Sequence, residues 1–194
     1  MQLLWGKILA GEVEKPGTFS LRTQDALRNL TQREAELFEK VAGLAFSSPD
    51  CSVAFVINDM EYYGKLGISL VDFVRLTEIG LFAEAGILSQ INSLSWNFSV
   101  KKPEELAAIP FGKYGVLLGF SEPQPKVEIS ILNLTKVGME LLLLINQQPN
   151  EDYFRLLAKK VKEKTPLLKS LWYAPRHPSG RGYIESQFVP IEIE

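Results

Sequence analysis

The chain has one cysteine and one histidine in 194 residues. A single cysteine, Cys51, closes no internal disulfide, which excludes a small stapled scaffold and fits a reducing, cytoplasmic setting. Cys51 and His177 stand far apart in the sequence, and no ligand spacing of a zinc site surrounds either of them. Long apolar runs are also absent. The strongest, Met139 to Ile145, is too short to cross a bilayer, so no membrane is expected. The opening residues Met1-Gln2-Leu3-Leu4-Trp5 lack the basic region of a signal peptide. Charge of one sign is scarce too, with 21 Lys and Arg against 23 Asp and Glu for a net −2. That balance by itself implies neither nucleic acid nor a membrane surface.

Apolar side chains make up 46% of the chain, enough for a substantial core. Residues 2–12 read as a helix with one apolar face, ended by Gly11 and Pro16-Gly17. Ser20 caps a second helix over Leu21 to Leu30, and Thr31 with Glu34 forms a capping box for a third. The face at Leu3, Leu4 and Trp5 starts without a cap. Two readings fit: a C-terminal portion of a longer protein, which is the expectation, or a natural start whose first helix docks on the core.

Past Pro49-Asp50, the run Val53 to Ile57 fits a strand or a buried helical turn. Ser69 and Asp72 open another helix, with Gly80 near its end. The period then changes. Leu94, Trp96 and Phe98 alternate with polar residues, Tyr114 to Phe120 reads as a second strand, and Val127, Ile129 and Ile131 mark a third. The last two are expected to form a hairpin with a proline-stiffened tip. Asn133 or Thr135 caps the next helix. Asn150 or Asp152 starts one that Thr165-Pro166 stops. Residues 172–183 look irregular, and Pro190 restricts the tail to an edge strand or none.

The class is therefore α+β. A helical segment, residues 1–48, packs on a mixed domain, residues 49–194, and the two share one core. The order over residues 31–145 is that of a winged-helix-like module with a small antiparallel sheet and C-terminal helices. As a DNA reader it is poorly equipped. The helix Val71 to Leu81 offers only Arg75 to a base edge, beside Asp72 and Glu78, and the hairpin sets Lys113 and Lys126 against Glu122 and Glu128.

Candidate chemistry is sparse. Cys51 precedes an apolar run and reads as buried filler. His177 lies in the loop Pro175-Arg176-His177-Pro178 and reads as solvated. The pairs Glu104-Glu105 and Asp59 with Glu61 read as surface carboxylates. Gly115 and Gly119 fall in a strand, so they form no phosphate-binding fingerprint. Catalytic, cofactor and metal residues are therefore expected to be none. Two sets remain as partner contacts. The cationic set is Arg155, Lys159 and Lys162 on the helix after Asn150, with Arg176 and Arg181 in the following loop. The aromatic set is Tyr62, Tyr63, Trp172, Tyr173 and Tyr183, residue types suited to interfaces.

Residues 3–42 carry Trp5, Leu9, Gly11, Glu12, Pro16, Gly17, Phe19, Ser20, Arg22, Thr23, Leu30, Glu34, Ala35 and Phe38. In that order they resemble the shared segment of the bacterial DUF2806 family of unknown function. The stretch LTKVGMELLLLI, residues 134–145, is similar to the LT-x-x-G-x-E-L helix ending such domains. The Trp-helix segment is also similar to the abortive-infection alpha proteins, a phage-defence group. The resemblance implies a bacterial origin and longer relatives, and it brings no catalytic residues. The expected function is a non-catalytic protein-interaction module, with a protein partner or self-association. The alternative is a nucleic-acid-binding regulator or defence component.

Overall fold

A computed structural model describes residues 17, 19–48, 50–83, 94–102, 105–179 and 182–193. The helix expected over residues 2–12 lies outside the described residues. Helix α1 (Leu21–Asn29) begins where the Ser20 hydroxyl accepts the Thr23 amide. Helix α2 (Gln32–Ala42) begins with the reciprocal Thr31–Glu34 capping box. Strands β1 (Phe46–Ser47) and β2 (Ala54–Ile57) follow. Asp59 caps α3 (Met60–Lys65), and a Ser69–Asp72 box caps α4 (Leu70–Glu78). Gly80, at φ 77°, takes the left-handed turn that ends α4.

Strands β3 (Leu94–Val100), β4 (Ala107–Phe111), β5 (Tyr114–Phe120) and β6 (Gln124–Asn133) come next. Helix α5 (Lys136–Leu142) is capped by Thr135, and α6 (Glu151–Lys164) by Asn150. Strand β7 (Leu168–Pro175), a 3₁₀ turn (Glu185–Gln187) and β8 (Val189–Ile191) complete the described chain.

The α+β class holds: these elements make two four-stranded antiparallel sheets, ordered β1-β2-β6-β3 and β4-β5-β7-β8. The expected hairpin between 114–120 and 127–131 does not form, so these strands do not make the pairing read as a winged-helix wing. β6 pairs with β2 and β3, whereas β5 pairs with β4 and β7. The cause is burial. Gly115 through Phe120 are all buried, so β5 needs a neighbour on each side. The two-residue turn Gly112-Lys113 supplies β4, and residues expected to be irregular supply β7. Pro110 and Pro190 sit in the edge strands β4 and β8, where a missing N–H costs little.

The sheets are joined by aromatic contacts. Phe46 meets Phe111 at 5.3 Å between ring centroids, and Phe98 meets Phe120 at 6.4 Å. Helix α6 packs on β6 of one sheet and on β7 and β8 of the other. Its Tyr153, Phe154, Leu157, Ala158 and Val161 are all buried. The buried apolar residues form one cluster that runs from Phe19 to Ile191.

One edge of the first sheet is closed by side chains. In β2, Val56 faces its partner Leu132 on β6, and Phe55 faces Phe46 on β1. β1 is too short to reach Ile57. The Ile57 amide instead donates to the Tyr153 hydroxyl at 2.7 Å, and the Tyr63 hydroxyl donates to the Ile57 carbonyl at 3.0 Å. The two hydroxyls are 3.3 Å apart and both side chains are fully buried. Burial pushes both phenols above their ordinary range, so they remain neutral hydrogen-bonding groups.

A second junction joins three helices. The Thr135 amide donates to the Leu81 carbonyl at 3.0 Å, and its hydroxyl to the Gly80 carbonyl at 2.5 Å. A Cβ on Gly138 would stand 2.3 Å from the Leu81 carbonyl oxygen, so only glycine fits there. Two residues on, Glu140 accepts the Ser20 amide and the Thr23 hydroxyl, both at 2.7 Å. The carboxylate thus holds the start of α1 against α5. Burial opposes its charge, but these hydrogen bonds outweigh it and leave the Glu140 pKa below the ordinary 4.5.

Cys51, expected to be buried, is exposed. The tight β1–β2 turn turns it outward at φ 56°. Asp50 organises that turn by accepting from the Ser48 hydroxyl at 2.5 Å and the Ser52 amide at 3.1 Å. These bonds hold its carboxyl down to about 2.

Two predictions follow from these junctions. Tyr153→Phe orphans the Ile57 amide in the core and lowers stability by about 1–3 kcal/mol, read from urea unfolding. Glu140 has a depressed folded-state pKa, so its contribution is present above the unfolded value and is lost as pH falls through the folded one. Wild type is accordingly more stable than Glu140→Gln at neutral pH, and the gap narrows as pH drops below 4.5.

Candidate interaction site

Helices α3 and α6 lie side by side, tied by the Tyr63–Tyr153 contact below and by an ion pair at one end. Asp59 both caps the Tyr62 amide at 2.8 Å and pairs with Lys160 at 2.8 Å. Burial works against the Asp59 charge, yet the Lys160 ammonium and the Tyr62 amide lower its pKa, while that of Lys160 is raised. Tyr62 is thereby turned outward, its ring 5.3 Å from Tyr153 and 5.9 Å from Tyr63.

A groove of about 400 Å³ runs along this seam, lined by Tyr62, Lys65, Asp152, Arg155, Leu156, Lys159 and Ile193. It is amphipathic. Tyr62, Leu156 and Ile193 supply apolar surface, and the charges are largely paired. Arg155 donates to Asp152 at 2.8 Å and to Glu151 at 3.1 Å, and Lys65 pairs with Glu61 at 2.9 Å. Among the described residues, Lys159 has no carboxylate within 4 Å. Partial burial, then the nearby Asp152 charge, raises the Tyr62 phenol, so it is a neutral donor at physiological pH.

Three of the residues expected at a partner surface, Tyr62, Arg155 and Lys159, therefore meet in one groove. Lys162 does not line it and is half-buried. Arg176 bridges to Tyr183 through the backbone and lines a different cavity; neither residue lines this groove. The Tyr183 ring lies on Gly115 of β5, where a Cβ would stand 2.0 Å from it. Trp172 lies over Gly119 with Leu106 and Ser170 around it. Tyr173 turns to the opposite face, 5.7 Å from Phe154. Tyr63 is the one displaced residue: it is a core side chain, because Ile57 needs its hydroxyl. Arg181 lies outside the described residues.

Lys65, Leu156 and Ile193 were not anticipated. Helical spacing offered a signal for two of them, since Lys65 follows Tyr62 by three positions and Leu156 precedes Lys159 by three. Nothing local marked Ile193, which the tail after β8 carries into place.

Among the described residues, no group of three His, Cys, Asp or Glu side chains converges as a metal site. The His177 Nδ1 is engaged 2.7 Å from the Ser179 hydroxyl two residues on. No helix among the described residues is long and apolar enough to cross a membrane.

The docking of Tyr183 on a bare strand position is testable. Gly115→Ala forces the ring off β5 and costs about 1–3 kcal/mol. The same substitution in a Tyr183→Ala background is close to neutral, a coupling that a double-mutant cycle in urea reads directly.

A family described as "Protein of unknown function (DUF2806)" matches residues 1–158, and the chain belongs to that family. Neither the curated proteins nor the solved structures gave a match.

Proposed function

We propose that this member of the DUF2806 family is a non-catalytic protein-interaction module that receives its partner in the groove between α3 and α6. The observation carrying this reading is the convergence of Tyr62, Leu156 and Ile193 with Lys159 in one concave surface. Such a surface suits a protein segment that presents an apolar side chain beside a carboxylate. The aromatic floor is held from below by two buried tyrosines, so little ordering is needed on binding.

The charge arrangement favours protein over nucleic acid. A polyanion site gains affinity from cations whose charge is free to meet phosphates. Here Arg155, Lys160 and Lys65 each already hold a carboxylate. Of the groove's own charged groups, Lys65, Arg155 and Asp152 are tied into ion pairs, which fits recognition better than proton transfer.

A photo-crosslinking residue at position 156 tests this in the cells that make the protein, with position 71, on exposed Val71, as control. The expected result is a discrete protein adduct from 156 and none from 71. Purified partner should bind Tyr62→Ala at least about tenfold more weakly, as for an interface anchor worth over 1 kcal/mol. Identical patterns from both positions would sink the proposal. Salt-sensitive binding of labelled duplex or single-stranded nucleic acid, lost in Lys159→Glu, would put the regulator reading in its place.

A further inference from the structure

A second cavity, of about 310 Å³, opens where the β1–β2 turn, the Gly112-Lys113 turn and the C-terminal end of α5 meet. Its volume lies at the lower end of the roughly 300–1,000 Å³ typical of small-molecule sites. Met139, Leu142 and Ile145 give it an apolar wall, and Leu143 at the rim is 72% exposed. Lys113 and Arg176 also line it.

The cavity is preformed. Gln147 is buried, and its side-chain amide donates to the Ala45 carbonyl at 2.7 Å and the Gly43 carbonyl at 3.3 Å. Its Oε1 then rests against Gly112, 3.0 Å from where a Cβ would lie. The cations are held by backbone: the Arg176 amide donates to the Lys113 carbonyl at 2.8 Å, and Arg176 also bridges to Tyr183. Tyr183 is in turn seated on Gly115.

The electrostatics differ from those of the α3–α6 groove. Among the described residues, neither Lys113 nor Arg176 has a carboxylate within 4 Å, while Arg155, Lys160 and Lys65 do. Arg176 is nevertheless half-buried. Partial burial strengthens its attraction for an anion, and its planar fork donates two parallel hydrogen bonds to a carboxylate. One anionic head beside an apolar wall defines the ligand.

We propose that this cavity binds a small amphipathic monocarboxylate, its carboxylate on Arg176 and Lys113 and its apolar body against Met139, Leu142 and Ile145. The inference is independent of the α3–α6 groove and stands or falls separately from it.

Cys51 provides the assay. It is the only cysteine, it is exposed, and it lines this cavity, so occupancy shields it from alkylation. The probe is octanoate, kept below the concentration at which it forms micelles, with the rate of Cys51 alkylation by a neutral maleimide as readout. At ten times its Kd, octanoate should slow the reaction about tenfold. Octanamide, which has the same tail without the charge, and acetate, the charge without the tail, should do so only at concentrations about tenfold higher or more. Arg176→Gln and Lys113→Gln should each weaken protection about tenfold, the scale of one lost charge-assisted contact, with unchanged urea midpoints. Equal protection by octanamide would reduce the site to an apolar cavity, and equal protection by acetate to a surface cation. No protection by octanoate would overturn the proposal outright. Protection by a leucine-terminated peptide but not by octanoate would overturn it in favour of a protein C-terminus. The wild-type ligand series decides the matter even if a variant fails to fold.

Discussion

Strand β1 is two residues long, and β2 runs past it into the core. The exposed backbone of Ile57 would otherwise be a buried amide and carbonyl without partners, among the costliest defects a small core can carry. Two phenols close it, one from α3 and one from α6. Each helix is thereby positioned against the sheet by a directional bond and not by apolar contact alone. The surface above inherits that rigidity. Tyr62, next in the chain to Tyr63, packs edge-on against Tyr63 and tilted against Tyr153, and becomes the floor of the α3–α6 groove. A constraint on one backbone unit therefore sets the geometry of the candidate interaction site.

The two stretches that carry the family resemblance meet in space through a few polar contacts. Thr135 caps α5 and reaches the end of α4, Gly138 lets the Leu81 carbonyl approach, and Glu140 holds Ser20 and Thr23. Each residue has a separate physical reason to be of its own type: a hydroxyl for capping, no Cβ for close approach, a carboxylate at a helix start. Residues more than a hundred positions apart are thus committed to one junction, and α1 is fixed to the body of the fold.

The cations at the two candidate surfaces differ in their surroundings. On α6 and α3, Arg155, Lys160 and Lys65 neutralise nearby carboxylates, which leaves an amphipathic groove with little net field. Among the described residues, those beside the β4–β5 turn, Lys113 and Arg176, stand at an apolar cavity with no carboxylate within 4 Å. Proximity to carboxylates, and not the number of lysines and arginines, separates a surface suited to a protein segment from one suited to a small anion.

By itself the sequence determined what local rules control. Ser20, Thr31 with Glu34, and Ser69 with Asp72 start their helices, because a side-chain oxygen three residues from a free amide needs no distant partner. For the later two helices the sequence left a choice of caps, Asn133 or Thr135 and Asn150 or Asp152, and the structure uses Thr135 and Asn150. The strands at 94–100 and 114–120 were legible from local apolar patterning. Tertiary structure alone decided which strands pair, since β5 is buried on both faces and loses the alternation that marks a half-exposed strand, and in β7 the buried residues Leu168, Leu171 and Ala174 fall at a spacing of three and do not alternate. It also decided that Tyr63 serves the core while Tyr62 faces the groove, that Cys51 points outward, and that Ile193 joins α6. Those outcomes depend on which backbone groups remain unpaired after folding and on where a distant segment returns, and neither is encoded within a few residues of the side chain concerned.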